Sequence, residues 1–236
     1  MLIVGFVASI ALGAGTSIAT LNSGTSVNVQ IKHARAPATI TLTVDNSETA
    51  VVPQPVSTMR VSSSTAKWNT KAVTQCTTPP PNYAVGDNHG VEPSCPASSR
   101  VGKGTFAVNT GTPGQPIPGD LGTLSGTINV YNHTPAAGQA ACFFIELLSD
   151  TPVPNDHEWE VAQISKSGTV VVPLLKMEDL HPQVKNILSP PTAPRQLALS
   201  KLKVTIKSPT PKKGKAPFVT LKSVKKVDFS ITLERG

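Results

Sequence analysis

Aromatic residues make up only 4% of the 236-residue chain, and Asp, Glu, Lys and Arg together 15%. A carbohydrate-binding module uses several exposed aromatic rings; Trp68, Trp159, Tyr83 and Tyr131 are the only candidates here, so that class is poorly supported. Cysteine is scarce as well. The three, Cys76, Cys95 and Cys142, form no C-x-x-C pair, which excludes zinc-ribbon and thioredoxin readings. Several catalytic signatures are missing. His157-Glu158 is followed by Trp159-Glu160-Val161, so there is no H-E-x-x-H, and neither a G-x-S-x-G elbow, a phosphate-binding P-loop nor a G-x-G-x-x-G turn occurs. The five histidines, His33, His89, His133, His157 and His181, are scattered singly in turn-like sequence. No apolar run reaches the roughly 20 residues of a bilayer-spanning helix, which rules out a polytopic membrane protein. The 17 Gly and 22 Pro exceed average usage, yet stay below the roughly 25–30% that marks low-complexity disorder. No cofactor is expected.

What is present is a succession of short alternating apolar runs, the mark of half-buried strands. Candidates are Val27–Ile31, Ile40–Val44, Val56–Ser62, Gly104–Asn109, Thr123–Tyr131, Ala140–Leu148, Glu158–Ile164, Thr169–Leu174, Leu197–Ile206, Phe218–Lys222 and Lys226–Leu233. In the last, Val227, Phe229, Ile231 and Leu233 share one side. Turn-rich breaks such as Gly111–Asp120 and Ser149–Asp156 separate them. The pattern predicts an all-β protein, an antiparallel β-sandwich of about ten or eleven strands. One stretch has helical spacing instead: Met177, Leu180, Val184, Ile187 and Leu188 predict a short surface helix over about 179–188, with Pro182 in its first turn.

Residues 1–19 carry no charge, and their apolar stretch Leu2–Leu12 has the length of a signal-peptide h-region. Ser17-Ile18-Ala19 supplies the small residues that a signal peptidase accepts, although no basic residue precedes Lys32. The expectation is export with removal of residues 1–19, which should then pack against nothing. Residues 20–236 are expected to form one elaborated β-sandwich domain with a basic region from about 195, no membrane anchor in the mature chain, and an extracellular or cell-surface location. Cys76 and Cys95 bracket the Pro-rich segment TTPPPNYAVGDNHGVEPS. It has little apolar content to hold itself down. A disulfide closing a loop of this length removes denatured-state entropy worth roughly 3 kcal/mol, and an oxidising compartment lets it form. Cys142, within AACFFIELL, reads as a buried thiol of a core strand.

Two further segments, Ser94-Cys95-Pro96-Ala97-Ser98-Ser99-Arg100-Val101-Gly102-Lys103-Gly104 and Ser125-Gly126-Thr127-Ile128-Asn129-Val130-Tyr131-Asn132, follow the extended stretch Trp68–Cys76. Together these resemble a group of secreted actinobacterial β-sandwich proteins in which C-P-x-x-S-x-x-G-x-G precedes a G-T-v-x-v-y-N strand. The likeness spans about 170 residues. It implies an exported β-sandwich with a Cys76–Cys95 link and brings no catalytic residues. Read on its own terms, the motif is structural. Gly102 and Gly104 suit a bulge or tight turn with positive φ, and Ser98 or Ser99 can bond the loop backbone.

Two charge features remain. Asp156, Glu158 and Glu160 project from one face of a strand at about 6.5–7 Å spacing. The reading taken is a solvated face, with His157, Trp159 and Val161 turned inward. The alternatives are a calcium site and a carboxylate pair at the roughly 6.5–9.5 Å separation of inverting glycosidases, that is, a glycan- or wall-active hydrolase. The second feature is a global asymmetry. Residues 1–194 hold ten Lys and Arg against twelve Asp and Glu; residues 195–236 hold eleven against two, a net charge of +9. Lys201, Lys203 and Lys207 share one strand face, and Lys212, Lys213 and Lys215 follow in a Pro/Gly loop. Such a patch concentrates anions. With almost no aromatics interleaved, nucleic acid is not the expected partner; anionic cell-wall polymers or phospholipid headgroups are. The alternative is a solvated lysine-rich edge that discourages sheet-to-sheet aggregation. Asn132-His133-Thr134 matches a glycosylation sequon to which no function is assigned.

Overall fold

In a computed structural model of the chain, the eleven alternating runs become strands and three more join them. In chain order the strands are β1 (Ile3–Ala11), β2 (Thr16–Leu21), β3 (Thr25–Lys32), β4 (Thr39–Asp45), β5 (Val56–Ser62), β6 (Ala66–Trp68), β7 (Arg100–Gly111), β8 (Thr123–His133), β9 (Gln139–Thr151), β10 (His157–Ser165), β11 (Thr169–Pro173), β12 (Gln196–Lys207), β13 (Val219–Leu221) and β14 (Lys226–Arg235), of which β1, β2 and β6 are the additional three. The structure describes all residues except 1–2, 12–15, 22–24, 33–37, 46–50, 54, 63–65, 78–93, 120–121, 153, 155–156, 175, 178–179, 181, 190–195, 209–215, 222–225 and 236; for 3–32, 57, 182–184, 221 and 226–235 it describes the backbone alone.

The class is all-β and antiparallel. Its two layers come from one sheet. Twelve strands pair in the order β1-β14-β5-β11-β10-β9-β8-β7-β12-β4-β3-β2, and β6 with β13 forms a separate two-stranded sheet. Six strands lie between β5 and β4 in that order, yet Met59 and Val61 of β5 line the same interior space as Ile40 and Leu42 of β4. The sheet therefore curls so that its walls face each other. Glycines permit the curl. A Cβ on Gly104 would collide with the Lys203 carbonyl oxygen, and one on Gly126 with that of Leu148. Backbones approach this closely only where a side chain is absent. The expected positive φ at Gly102 and Gly104 is thus replaced by close approach: both lie inside β7, and the positive-φ glycines among the described residues are Gly111, Gly114, Gly138 and Gly168. A register shift between Arg100 and Gly102 does mark a bulge at the start of the strand.

The interior is filled by one apolar cluster that includes Val44, Phe106, Ile128, Phe143, Ile164, Leu202 and Phe218. Fully burying a side chain of this kind contributes roughly 1.5–3 kcal/mol. The small β6–β13 sheet closes over it. Trp68 meets Phe143 edge-on at 5.3 Å and Phe218 at 5.8 Å between ring centroids. Helix α1 (Pro182–Leu188) begins at the proline, whose missing N–H costs nothing in a first turn. Met177, Leu180 and Leu188 are buried in the core, while Ile187 faces solvent. Among the described residues no helix is long and apolar enough to cross a membrane.

The N-terminal segment departs from expectation. Strand β1 pairs with β14 from Ile3↔Glu234 to Ala11↔Lys226, and β2 pairs with β3. Residues expected to pack against nothing are laid out as the two ends of the sheet, where β1 and β2 also lie beside each other. The physical reason is that a short, uncharged apolar run satisfies an edge strand as well as an h-region.

Candidate functional site

Strand register builds a cationic groove on the outer face. In the β7–β12 ladder Lys203 lies opposite Thr105 and Thr205 opposite Lys103. Their inward neighbours Val204 and Ile206 pair with Gly104 and Gly102. The outward set is therefore Lys and Thr. Arg100, Lys103, Lys203 and Lys207 line a groove of about 790 Å³ together with Thr105 and Thr205, and the described lining includes no carboxylate. Lys201 is exposed on the same strand, opposite Asp45 of β4. Thr205 is held from the β4 side by a 2.9 Å hydroxyl–hydroxyl bond to Thr41. Lys212, Lys213 and Lys215 lie outside the described residues. Arg100 and Lys103 were not legible as partners of the β12 lysines, because strand order, not sequence proximity, joins them; the one local sign was a lysine between two glycines.

Beside the groove, a polar cluster fixes Arg100. Its guanidinium donates to Asn129 Oδ1 at 3.3 Å, and Asn129 Nδ2 donates to Glu146 Oε2 at 2.7 Å. Tyr131 OH donates to the same oxygen at 3.1 Å, and His157 Nδ1 lies 3.2 Å from Glu146 Oε1. Burial, reinforced by the Glu146 charge and hydrogen bond, pushes the Tyr131 phenol up to about 12. Glu146 thus has its hydrogen-bonding capacity taken up locally.

The acidic strand is a correction. Register with β9 places Glu160 opposite Ile145 and Glu158 opposite Leu147, on the inner side. Glu158 is only 5% exposed, and Glu160 lines the interior cavity. His157, Trp159 and Val161 point the other way, where Trp159 packs with Phe144, Cys76, Cys142, Tyr131 and Cys95. Both faces of β10 are covered, so the solvated-face reading fails. Asp156 lies outside the described residues. Among those described, no group of three or more His, Cys, Asp or Glu could hold a metal ion. The inner space beside Glu160 is apolar and about 150 Å³, below the roughly 300–1,000 Å³ of ligand pockets for drug-sized molecules, and offers a glycan no cleft.

The outer cover is pinned by the Cys76–Cys95 disulfide, with Cα atoms 5.0 Å apart. Cys142 is the free, buried thiol of the same cluster, pushed up to about 11 by burial. Ser99 is wholly buried and donates to the Pro96 carbonyl at 2.6 Å, fixing the turn after Cys95. Asn132 is also wholly buried, and its amide donates to the carbonyls of Thr70, Val73 and Thr74. The sequon asparagine is therefore a structural clamp on the segment leading to Cys76. Comparison with protein families, curated proteins and solved structures finds no match for this chain.

Proposed function

We propose that the chain is a non-enzymatic, exported protein of the cell surface or extracellular space that binds anionic wall polymers through the outer β7–β12 groove. One observation carries this reading: four cationic side chains from two strands meet in a groove whose described lining has no carboxylate. Their summed field raises local anion concentration. Lysine ammonium groups act as compact point charges that need no fixed partner geometry, and the interleaved threonine hydroxyls add donors. The Cys76–Cys95 disulfide supports an oxidising compartment, as does the resemblance to secreted actinobacterial proteins. The hydrolase alternative draws no support from the inward, apolar setting of Glu158 and Glu160.

Retention on purified anionic wall polymer tests the binding, with vesicles bearing anionic phospholipid headgroups as a second arm. Retention should fall from 0.1 M to 1 M salt as the Debye length shrinks from about 10 Å to about 3 Å. Changing Lys103, Lys203 and Lys207 to Gln should abolish most of it. Equal retention of both proteins, or binding that survives 1 M salt, contradicts the proposal. N-terminal sequencing of protein recovered from culture medium tests export with cleavage: a start near Thr20 supports it, whereas an intact Met1 on the mature protein counts against it.

A further inference from the structure

Strand register gives the cations of the outer groove a regular step. The outward positions of β12 are Lys201, Lys203, Thr205 and Lys207, so lysine recurs at every second residue except at 205. That gap is filled from β7, where the exposed Lys103 lies directly opposite Thr205. Residues opposite each other in a ladder share a face, with Cβ atoms about 4.5–5.5 Å apart. Positive charge is thus repeated at each two-residue step from Lys201 to Lys207. At a rise of about 3.3 Å per residue the step is about 6.5 Å and the row about 20 Å long. Arg100 stands at the Lys207 end, its guanidinium held by Asn129. Hydroxyls flank the row: Thr39, Thr41 and Thr43 of β4 lie opposite Lys207, Thr205 and Lys203, and Thr105 of β7 lies opposite Lys203. Asp45, opposite Lys201, ends it.

A fixed step selects among polyanions by the covalent length of their repeat. A strand advances two residues through six backbone bonds. An extended chain with one charge per six backbone bonds keeps pace with the row, whereas a shorter or longer repeat drifts out of register. Phosphodiester links between units of three backbone carbons have that repeat: one phosphorus, two oxygens and three carbons. A 1,4-linked polyuronate has a five-bond repeat with three of the bonds folded into a ring, so its carboxylates come at a shorter step. Single-stranded nucleic acid also has a six-bond repeat, but its bases stack on aromatic side chains, and the described lining of the groove holds none. Lysine ammonium groups impose no local geometry on an anion, which leaves spacing as the discriminating feature. We propose, resting on the groove as the anion-binding surface, that it takes an extended linear phosphodiester polymer of three-carbon units. Successive phosphates lie against Lys201, Lys203, Lys103 and Lys207, with the flanking threonine hydroxyls as donors.

The probe is a synthetic 1,3-propanediol oligomer with four phosphodiesters, fluorescently labelled and bound to the full chain at low salt. Unlabelled competitors of equal charge are the same oligomer, its 1,6-hexanediol counterpart, tetragalacturonate and a five-nucleotide oligothymidylate. The propanediol oligomer should compete about fivefold better than the hexanediol oligomer or tetragalacturonate, the scale of one well-placed exposed ion pair. Lys103→Gln reopens the gap at 205 and should remove that preference, whereas Lys71→Gln, at an exposed lysine outside the groove lining, should keep it. Lys103→Thr combined with Thr205→Lys moves the charge onto β12 at unchanged net charge and should restore the preference. Far-UV circular dichroism checks that each variant keeps its strands. Equal competition by the propanediol, hexanediol and galacturonate oligomers overturns the proposal while leaving the groove as an anion-binding surface. So does a preference that survives Lys103→Gln, or a propanediol oligomer that fails to bind a chain retained on wall polymer. Oligothymidylate competing better than the propanediol oligomer overturns it in favour of nucleic acid. A chain that is not retained on wall polymer and binds none of the oligomers removes the anion-binding groove itself, and this proposal with it.

Discussion

Strands β9–β10 and β7–β12 are neighbouring parts of one sheet with opposite fates for their outer faces. Over β9–β10 the outer residues Phe144 and Trp159 are buried in a cluster with the disulfide-bonded Cys76 and Cys95. Over β7–β12 the outer residues Lys103, Thr105, Lys201, Lys203 and Lys207 are exposed. Charged residues alternate with others along both β10 and β12. Alternation supplies the period of a strand, but the cover that happens to lie on each face supplies its sign. Where one face is open, as on β12, charge marks the outside correctly. Where both faces are covered, as on β10, the charged residues can occupy the inner wall, and Glu158 and Glu160 do.

This contrast can be broken in graded steps. The largest effect is expected from Phe144→Ala, which empties a fully buried position in the outer cluster; a loss of about 3–5 kcal/mol is expected for a buried phenylalanine, measured by denaturant unfolding. Replacing both Cys76 and Cys95 with Ser should cost about 3 kcal/mol for a loop of this length, and should expose Trp159 to solvent, read as a red shift in its fluorescence in a Trp68→Phe background. The smallest effect belongs to the open face. Lys103, Lys203 and Lys207 changed to Gln should leave stability within about 0.5 kcal/mol per site, as surface substitutions do. A large loss there would mean that the groove is structural.

Much of the fold was legible because the strands are short, alternating and separated by proline and glycine turns; the helix was legible because Pro182 could only begin it. The disulfide was legible from a loop with no core of its own. The N-terminal strand was not, since the composition of Ile3–Ala11 fits two roles equally. The curl was hidden in Gly104 and Gly126, whose meaning depends on carbonyls of neighbouring strands. For the groove, half was readable as the lysine face of β12. Arg100 and Lys103 joined it only once β7 was known to pair with β12, about a hundred residues away in the chain. The apolar space inside the curl needed the third dimension entirely, because its wall is drawn from eight strands.

The central claim is that the placement of positive charge on β7–β12, not its total, makes the binding surface. The most direct test compares two variants with equal charge loss on purified anionic wall polymer at 0.1 M salt. One changes Lys103, Lys203 and Lys207 to Gln; the other changes Lys212, Lys213 and Lys215. The account predicts that the first loses most of its retention while the second keeps the greater part. Equal losses in the two would show that net charge alone governs binding, and would contradict the groove.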